Sequence, residues 1–93
     1  MIHGFGATGL IFYKLIGFLR KFFRITTIDF LGMGASGRPP FNLSTGRDSI
    51  EYFIHSIEAW VRSTKYRDDC EDFYLLGHSL GGNISVHYAL RYP

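Results

Sequence analysis

The chain has one cysteine, three prolines, no long uninterrupted apolar run and little net charge. Because a single cysteine, Cys70, cannot form an internal disulfide, the sequence gives no sign of an oxidising compartment. The apolar stretch Leu10–Phe23 is interrupted by Lys14, Arg20 and Lys21. We therefore expect neither a secretory signal nor a membrane span within it. The net charge of +2 is too small to indicate a nucleic-acid partner.

Acidic residues are scarce in the first half of the chain. Residues 1–47 contain six Lys or Arg and only Asp29 as a carboxylate, a charge of +5, whereas residues 48–93 sum to −3. Four of the cations, Lys14, Arg20, Lys21 and Arg24, lie on or just after a predicted apolar helix. This pattern favours either an anionic lipid surface or a solvated helix edge, and the sequence leaves both open. The composition is otherwise globular, with 46% hydrophobic and 19% charged residues.

The predicted elements alternate between strands and helices. Met1-Ile2 resembles the end of an apolar strand, Phe22–Phe30 is β-branched and aromatic, and Phe73–Leu76 is a short apolar run. Helices are predicted over Thr8–Arg20, with Thr8 as N-cap, and over Leu80–Tyr92. The order β-α-β-α-β-α predicts an α/β fold with three parallel strands and helices on both faces.

The middle helix has the clearest periodicity. Its apolar residues recur at helical spacing on one face: Ile50, Phe53, Ile54, Ile57, Trp60 and Val61. Asp48 and Glu51 form a candidate capping box at its start. Gly32–Pro40 is predicted to be a loop, and the polar stretch Ser63–Asp72 connects the helix to the third strand.

The most informative motif is the hexapeptide Gly77–Gly82, which follows the third predicted strand directly. It has the form G-x-S-x-G, and between a strand and a helix that form predicts a nucleophile elbow. In such an elbow the hydroxyl of Ser79 stands on a tight turn, and flanking glycines permit close backbone approach.

Catalytic partners for Ser79 are missing from the sequence. A serine hydroxyl needs a histidine base and an orienting acid, which follow it along the chain in this type of fold. Residues 80–93 contain no carboxylate. His87 lies eight residues beyond Ser79 on one predicted helix, roughly 12 Å away at ~1.5 Å per residue, so it cannot be the base. The triad is incomplete in these 93 residues.

Two other glycine motifs have the form G-x-G-x-x-G. Gly4–Gly9 opens a predicted helix, and Asp29 follows at the end of the next strand, which is the layout of a dinucleotide-binding unit. The second match, Gly32–Gly37, cannot have that role because Arg38-Pro39-Pro40 prevents a phosphate-binding helix. A dinucleotide-binding module is therefore a lesser alternative.

Three features favour another interpretation of the first motif. His3-Gly4-Phe5-Gly6 is similar to the oxyanion loop of hydrolases, Asp29–Pro39 forms a longer signature than a ribose contact needs, and the third strand ends in a serine elbow. Together with Phe53–Trp60 and Tyr88–Pro93, these segments resemble the α/β-hydrolase family. The resemblance extends over essentially the whole chain. It is strongest to the branch of N-acyl phospholipid (lyso)phospholipases and a related lipase coactivator.

The resemblance implies the roles of individual residues. Ser79 matches the nucleophile, and the backbone N–H groups of Phe5 and Leu80 match the oxyanion hole. His3 resembles a residue that shapes the loop, and His78 one that packs beside the nucleophile; neither would be the base. The supporting residues are His3, Gly4, Gly6, Gly77, His78 and Gly81. Asp29 and Arg38 are expected to fix the second loop by hydrogen bonds. We expect no cofactor and no metal.

The resemblance also implies what the chain does. Residues 1–93 correspond to an incomplete α/β-hydrolase domain that ends after the elbow helix and lacks the leading strands, the lid and the C-terminal part. We expect a cytoplasmic lipase- or esterase-like serine hydrolase acting on an ester, phospholipid or lysophospholipid, with contact to membranes or lipid droplets. The 93 residues alone are expected to be inactive. Because the coactivator has Asn at the nucleophile position, a non-catalytic lipid-surface adaptor is the main alternative.

Overall fold

The computed structural model describes residues 1–64 and 72–93. Cys70 and most of the predicted connection Ser63–Asp72 therefore lie outside the described residues. A short 3-10 helix over Gly9–Phe12 continues into α1, Tyr13–Leu19. The longest element, α2, extends over Gly46–Ser63, and α3 extends over Leu80–Arg91.

The prediction of three parallel strands is wrong for the described part of the chain, in which no β-strand or sheet forms. Three extended segments lie side by side, but only two isolated parallel bridges join them, from Ile2 to Ile28 and from Ile2 to Gly77. Both bridges involve the single residue Ile2, so neither extends into the ladder of successive pairs that defines a strand.

Thr8 caps the first helical segment as predicted, since its hydroxyl accepts a hydrogen bond from the Leu10 N–H at 3.2 Å. The single helix predicted over Thr8–Arg20 is instead a 3-10 turn followed by a seven-residue α-helix. No residue of α1 is buried.

The start of α2 differs from the prediction. Thr45, rather than Asp48, is the N-cap, and its hydroxyl oxygen accepts a hydrogen bond from the Asp48 N–H at 3.1 Å. The Thr45 hydroxyl also donates to the Asp48 carboxylate at 2.6 Å. The spacing Thr45-x-x-Asp48 places a carboxylate in the first turn, where the helix dipole stabilises negative charge.

The apolar face of α2 forms most of the core, as its periodicity predicts. Phe53, Ile54, Ile57 and Val61 are buried, and Ile50 and Trp60 pack against them. Helix α3 packs against α2 and adds Ile84 and Tyr88, while Ile2 and Phe30 complete the core. Full burial of such a side chain stabilises the fold by about 1.5–3 kcal/mol.

A buried polar group links α2 to α3. The Glu58 side chain is almost fully buried, and its carboxylate accepts hydrogen bonds from the Tyr88 hydroxyl at 2.6 Å and from Arg62 Nε at 2.7 Å. Because a buried carboxylate without donors is strongly unfavourable, these bonds make the position of Glu58 tolerable in the core.

The exposed apolar side chains are concentrated around α1. Among the described residues, this group comprises Leu10, Ile11, Tyr13, Leu15, Phe18, Phe22 and Phe23. Within the same described residues, no helix combines the length and apolar character needed to cross a membrane.

We predict that Tyr88→Phe lowers the free energy of unfolding by about 1–3 kcal/mol, because the buried Glu58 carboxylate loses one donor while the aromatic ring is retained. Urea denaturation followed by circular dichroism measures the change. Tyr74→Phe removes a hydroxyl from a tyrosine that is 90% exposed and serves as the control. Equal midpoints for the two variants would contradict a stabilising role for the Glu58–Tyr88 hydrogen bond.

Candidate active site

Ser79 has an unusual backbone conformation. Its φ of 54° and ψ of −119° make it the only non-glycine residue with positive φ in the part of the chain that the structure describes. Helix α3 begins at the next residue, Leu80. A non-glycine residue in such a region stores about 1–3 kcal/mol of strain, which persists only where the surroundings enforce it. Ser79 thus occupies a tight turn at the head of a helix, with its side chain exposed.

Close backbone packing enforces this turn. A Cβ on Gly77 would overlap the carbonyl group of Gly81, and a Cβ on Gly81 would overlap the carbonyl oxygen of Ile2. Any side chain at either position would therefore push α3 away from the extended segments. Both residues are glycines because the elbow brings two backbones into direct contact.

The loop after His3 lies against the elbow. Gly4 is buried, and a Cβ placed on it would come within 3.2 Å of the Ser79 Cβ and 3.3 Å of His78 Nδ1. Gly6 has a positive φ of 68°, so the loop turns sharply two residues later. Between them, Phe5 projects into solvent with 82% of its side chain exposed. The fold therefore brings the first glycine motif and the serine together.

Two backbone N–H groups near Ser79 remain available. Neither the N–H of Phe5 nor that of Leu80 donates a hydrogen bond to any other described residue. Leu80 is the first residue of α3, where N–H groups have no partner within the helix and the helix dipole favours negative charge. Their assignment as oxyanion donors stays a prediction.

His3 is fully buried beneath this loop. Its Nδ1 lies 2.7 Å from the Gly4 carbonyl oxygen, and its Nε2 accepts a hydrogen bond from the Phe30 N–H at 3.1 Å. The ring also packs edge-on against Phe30 with centroids 5.2 Å apart. Because a carbonyl oxygen can only accept, these partners assign the proton to Nδ1 and a lone pair to Nε2. Nε2 also lies 3.7 Å from the Asp29 carboxylate, but the Phe30 hydrogen bond requires the neutral ring rather than an ion pair.

Asp29 connects the first loop, Gly4–Gly9, to the second loop, Gly32–Pro40. Its two carboxylate oxygens accept hydrogen bonds from the Gly9 N–H at 2.7 Å and the Ala35 N–H at 2.9 Å, and its carbonyl oxygen accepts from the Ser36 hydroxyl at 2.6 Å. The hydrogen bonds from Ala35 and Gly9 lower the pKa of the Asp29 carboxyl below its usual value.

Arg38 holds the same second loop from its other end. The guanidinium donates to the carbonyl oxygens of Ser36 at 3.0 Å and Gly34 at 3.1 Å. The prediction that Asp29 and Arg38 fix this loop by hydrogen bonds is confirmed. The hydrogen bond from the Gly9 N–H to Asp29, twenty residues along the chain, was not predicted from the sequence.

The hydrogen bonds of Asp29 count against that alternative. A ribose partner must offer its carboxylate to a ligand hydroxyl, whereas both oxygens of Asp29 are engaged with backbone N–H groups of its own loops. The element after the glycine motif also begins as a 3-10 helix rather than as the α-helix of a phosphate-binding turn.

The remaining histidines do not complete a triad. His55 is largely exposed and lies 3.5 Å from Glu51 on α2, and His87 is exposed on α3. The Ser79 hydroxyl forms no hydrogen bond with any residue in 1–64 or 72–93. In these same ranges, no three His, Cys, Asp or Glu side chains are grouped as a metal site would require. Cavities of about 550 Å³ and 460 Å³ open elsewhere, and Ser79 lines neither of them.

We predict that Asp29→Asn destabilises the protein by about 1–3 kcal/mol at pH 6, because an amide offers one acceptor where two N–H groups need partners. The folded-state pKa of Asp29 is lowered, so its carboxylate contributes stability above the unfolded pKa of about 3.9, and this contribution is lost as pH falls through the folded value. The difference between wild type and variant should therefore shrink below about pH 4.

Urea denaturation at a series of pH values measures this difference. Asp72→Asn replaces an exposed carboxylate and is the control, with little expected change at any pH. A gap between wild type and Asp29→Asn that stays constant from pH 6 to acid would contradict the role given to the Asp29 carboxylate.

Comparison with known proteins agrees with this arrangement. The alpha/beta hydrolase fold family matches residues 1–93. A 1-acylglycerol-3-phosphate O-acyltransferase from Arabidopsis thaliana is 38% identical over 100% of this chain and 21% of its own length. The human (Lyso)-N-acylphosphatidylethanolamine lipase is 36% identical over 100% of this chain and 26% of its own length. The human 1-acylglycerol-3-phosphate O-acyltransferase ABHD5 is also 36% identical, over 100% of this chain and 25% of its own length.

The chain spans about a fifth to a quarter of the length of these relatives. No solved structure matches it significantly. The family match extends over every residue of the chain. The chain belongs to the alpha/beta hydrolase fold family.

Proposed function

We propose that the protein is a serine hydrolase that cleaves a lipid ester or amide bond through an acyl-Ser79 intermediate. The observation that carries this proposal is the strained backbone of Ser79, held at a helix N-terminus against the first glycine loop. This arrangement presents an exposed hydroxyl beside two N–H groups that have no acceptor among the described residues.

The chemistry follows from these positions. Ser79 Oγ attacks the substrate carbonyl carbon, and the hydroxyl proton passes to a general base that the described residues do not contain. The carbonyl oxygen becomes an oxyanion, which the N–H groups of Phe5 and Leu80 stabilise by about 3 kcal/mol per donor. Collapse of the tetrahedral intermediate expels the alcohol or amine and leaves an ester on Ser79, which water then hydrolyses.

A lipid substrate is supported by the relatives. Their names describe a lipase of (lyso)-N-acylphosphatidylethanolamine and acyltransferases of 1-acylglycerol-3-phosphate. Both kinds of reaction transfer a fatty acyl group, and they differ in whether water or an alcohol accepts it. The step that the two reactions share is transfer of the acyl group from the substrate, and the exposed hydroxyl of Ser79 can receive that group. We propose that water then accepts it in this protein.

We predict that Ser79 reacts covalently with a fluorophosphonate probe when the protein is expressed from its complete reading frame. Ser79→Ala should abolish labelling and hydrolysis of a p-nitrophenyl ester, because Ser79 is the only hydroxyl-bearing residue with positive φ among the described residues. Ser44→Ala removes another exposed serine and should retain labelling. Mass spectrometry of the labelled peptide identifies the site.

The same probe and ester substrate can be applied to residues 1–93 expressed alone. Residues 1–93 without further sequence should show no ester hydrolysis, since the base is absent from the described residues. Labelling that persists in Ser79→Ala would refute the assignment of the nucleophile. Turnover by the 93 residues alone would refute the expectation that they are inactive.

A second candidate function is a non-catalytic adaptor at a lipid surface. Large apolar side chains around α1 are exposed, including Phe18 at 62% and Phe22 at 69%, and cations at Lys14, Arg20 and Lys21 lie among them. A short amphipathic segment of this kind can bind an anionic lipid surface. We propose such a peripheral contact, from the cytoplasmic side of a membrane or at a lipid droplet, as an addition to catalysis or in place of it.

We predict that the protein floats with liposomes containing phosphatidylserine. Changing Lys14, Arg20 and Lys21 to Glu should reduce flotation at least about tenfold, because each cation near an anionic surface contributes about 1 kcal/mol to binding. Arg47 and Arg91 changed to Glu form the control, which has the same charge change as a Lys14 and Arg20 double variant but alters α2 and α3 instead of α1. Equal loss in these two double variants would indicate a general charge effect and exclude the α1 surface.

A further inference from the structure

We propose that the exposed side chains of Phe5 and Leu10 form an apolar track that receives the acyl chain of the substrate as it extends from Ser79. The two side chains thus set the preference for acyl length, while the alcohol or amine of the substrate leaves over another surface. The inference rests on the proposed function, because it concerns the substrate that reacts at Ser79.

Phe5 occupies the tip of a tight turn. The Ala7 N–H donates to the Gly4 carbonyl oxygen at 3.2 Å, and Gly6, at the third position of this turn, has the positive φ of 68° that a type II turn requires. The Phe5 side chain is 82% exposed. A single exposed phenylalanine is common on a protein surface, so its position relative to the reacting serine decides its meaning.

That position is next to the reacting carbonyl. Gly4, directly before Phe5, lies against the elbow, since a Cβ placed on it would come within 3.2 Å of the Ser79 Cβ. In the proposed reaction the Phe5 N–H donates to the oxyanion, and a hydrogen bond of about 2.9 Å places the Phe5 Cβ within roughly 6 Å of the reacting carbon. The Phe5 ring is therefore within reach of the two substituents of that carbon, the acyl chain and the leaving group.

The absence of charge along this stretch selects the acyl chain. Residues 5–12 carry no charged side chain, and the one hydroxyl among them, on Thr8, already accepts a hydrogen bond from the Leu10 N–H at 3.2 Å. A phosphate or an amine of a lipid headgroup would lose hydration here without gaining an ionic partner, which is unfavourable. The methylenes of an acyl chain instead gain free energy by leaving water for an apolar surface.

The first loop leads this apolar surface away from Ser79. At the far end of the loop, the Gly9 N–H donates to the Asp29 carboxylate at 2.7 Å. Asp29 follows an extended segment that pairs with Ile2 on the side opposite to the segment leading to Ser79. Neighbouring paired segments are about 4.8 Å apart, so the loop crosses roughly 10 Å, a distance comparable to an extended octanoyl chain. Leu10 follows directly after this loop and is 79% exposed.

The order of the two side chains along the track predicts which part of the acyl chain each contacts. Phe5 is adjacent to the carbonyl and contacts the first methylenes, whereas Leu10 contacts those roughly 10 Å further on. Full burial of one methylene contributes about 0.8 kcal/mol, which is a factor of about four in kcat/KM. A side chain that covers one side of several methylenes should contribute a similar or larger factor.

A series of acyl lengths measures both contacts in the protein expressed from its complete reading frame. The p-nitrophenyl esters of acetate, hexanoate and decanoate share one leaving group and are used below the concentrations at which they aggregate. Phe5→Ala should lower the ratio of kcat/KM for hexanoate over acetate at least about fivefold, and any change at the backbone donor cancels in this ratio. Leu10→Ala should lower only the ratio for decanoate over hexanoate, at least about threefold.

Two further variants control for general effects. Phe5→Leu keeps an apolar side chain and should retain most of the preference for hexanoate. Leu90→Ala removes a leucine that is 77% exposed on α3, and it should change neither ratio. Hexyl acetate and ethyl acetate lengthen the alcohol rather than the acyl group, so Phe5→Ala should leave the ratio between these two esters unchanged.

The outcomes separate this inference from the proposed function. Unchanged acyl ratios in Phe5→Ala and Leu10→Ala, or equal losses in Leu90→Ala, would overturn the track. An effect of Phe5→Ala on hexyl acetate alone would assign the ring to the leaving group and would overturn it as well. If Ser79 reacts with the fluorophosphonate and the acyl ratios stay unchanged, only this inference falls. If wild-type Ser79 is unreactive, the proposed function falls with it.

Discussion

The backbone of Ile2 is the constraint on which the other features of the site depend. Its N–H donates to the Leu76 carbonyl at 2.8 Å, its carbonyl accepts from the His78 N–H at 3.0 Å, and a parallel bridge on the other side connects it to Ile28. The side chain is fully buried in the core. Because Ile2 lies between the two outer segments, its register determines which residues meet just beyond it. One position of slip would direct every following side chain to the opposite side.

This register explains why the glycines are required where they occur. With Ile2 paired to residues 76 and 78, Gly4 comes to lie against Ser79, and Gly81 at the start of α3 presses on the Ile2 carbonyl. The contacts are backbone against backbone, so a side chain at Gly81 would separate the helix from the segment that holds the first loop. Asp29 then ties that loop to the second one through Gly9 and Ala35. The loop after His3, the second loop and the turn at Ser79 are thus held mainly by backbone hydrogen bonds and backbone contacts, with few side chains involved.

The sequence predicted best those features that local chemistry decides. The tight turn at Ser79 and the apolar face of α2 follow from glycine spacing and helical period, which need no knowledge of distant residues. The start of α2 at Gly46 was missed because capping by Thr45 competes with capping by Asp48. The absence of strands in residues 1–64 and 72–93 was also missed, because apolar β-branched segments predict extended backbone but not how many successive residues pair. Two partners were not predicted: Gly9 is twenty residues from Asp29 and Phe30 is twenty-seven residues from His3, so no local pattern reveals them.

The presence of serine at position 79 helps to decide whether this turn serves catalysis or only the fold. A turn with φ of 54° and ψ of −119° is adopted by glycine without strain, whereas serine has a cost of about 1–3 kcal/mol there. The neighbouring Gly77 and Gly81 occur where two backbone segments lie too close together for any side chain. Serine adds a hydroxymethyl group that glycine lacks, and its side chain is exposed. An adaptor that binds lipid through α1 has no use for such strain, so the strain supports the nucleophile role proposed for Ser79.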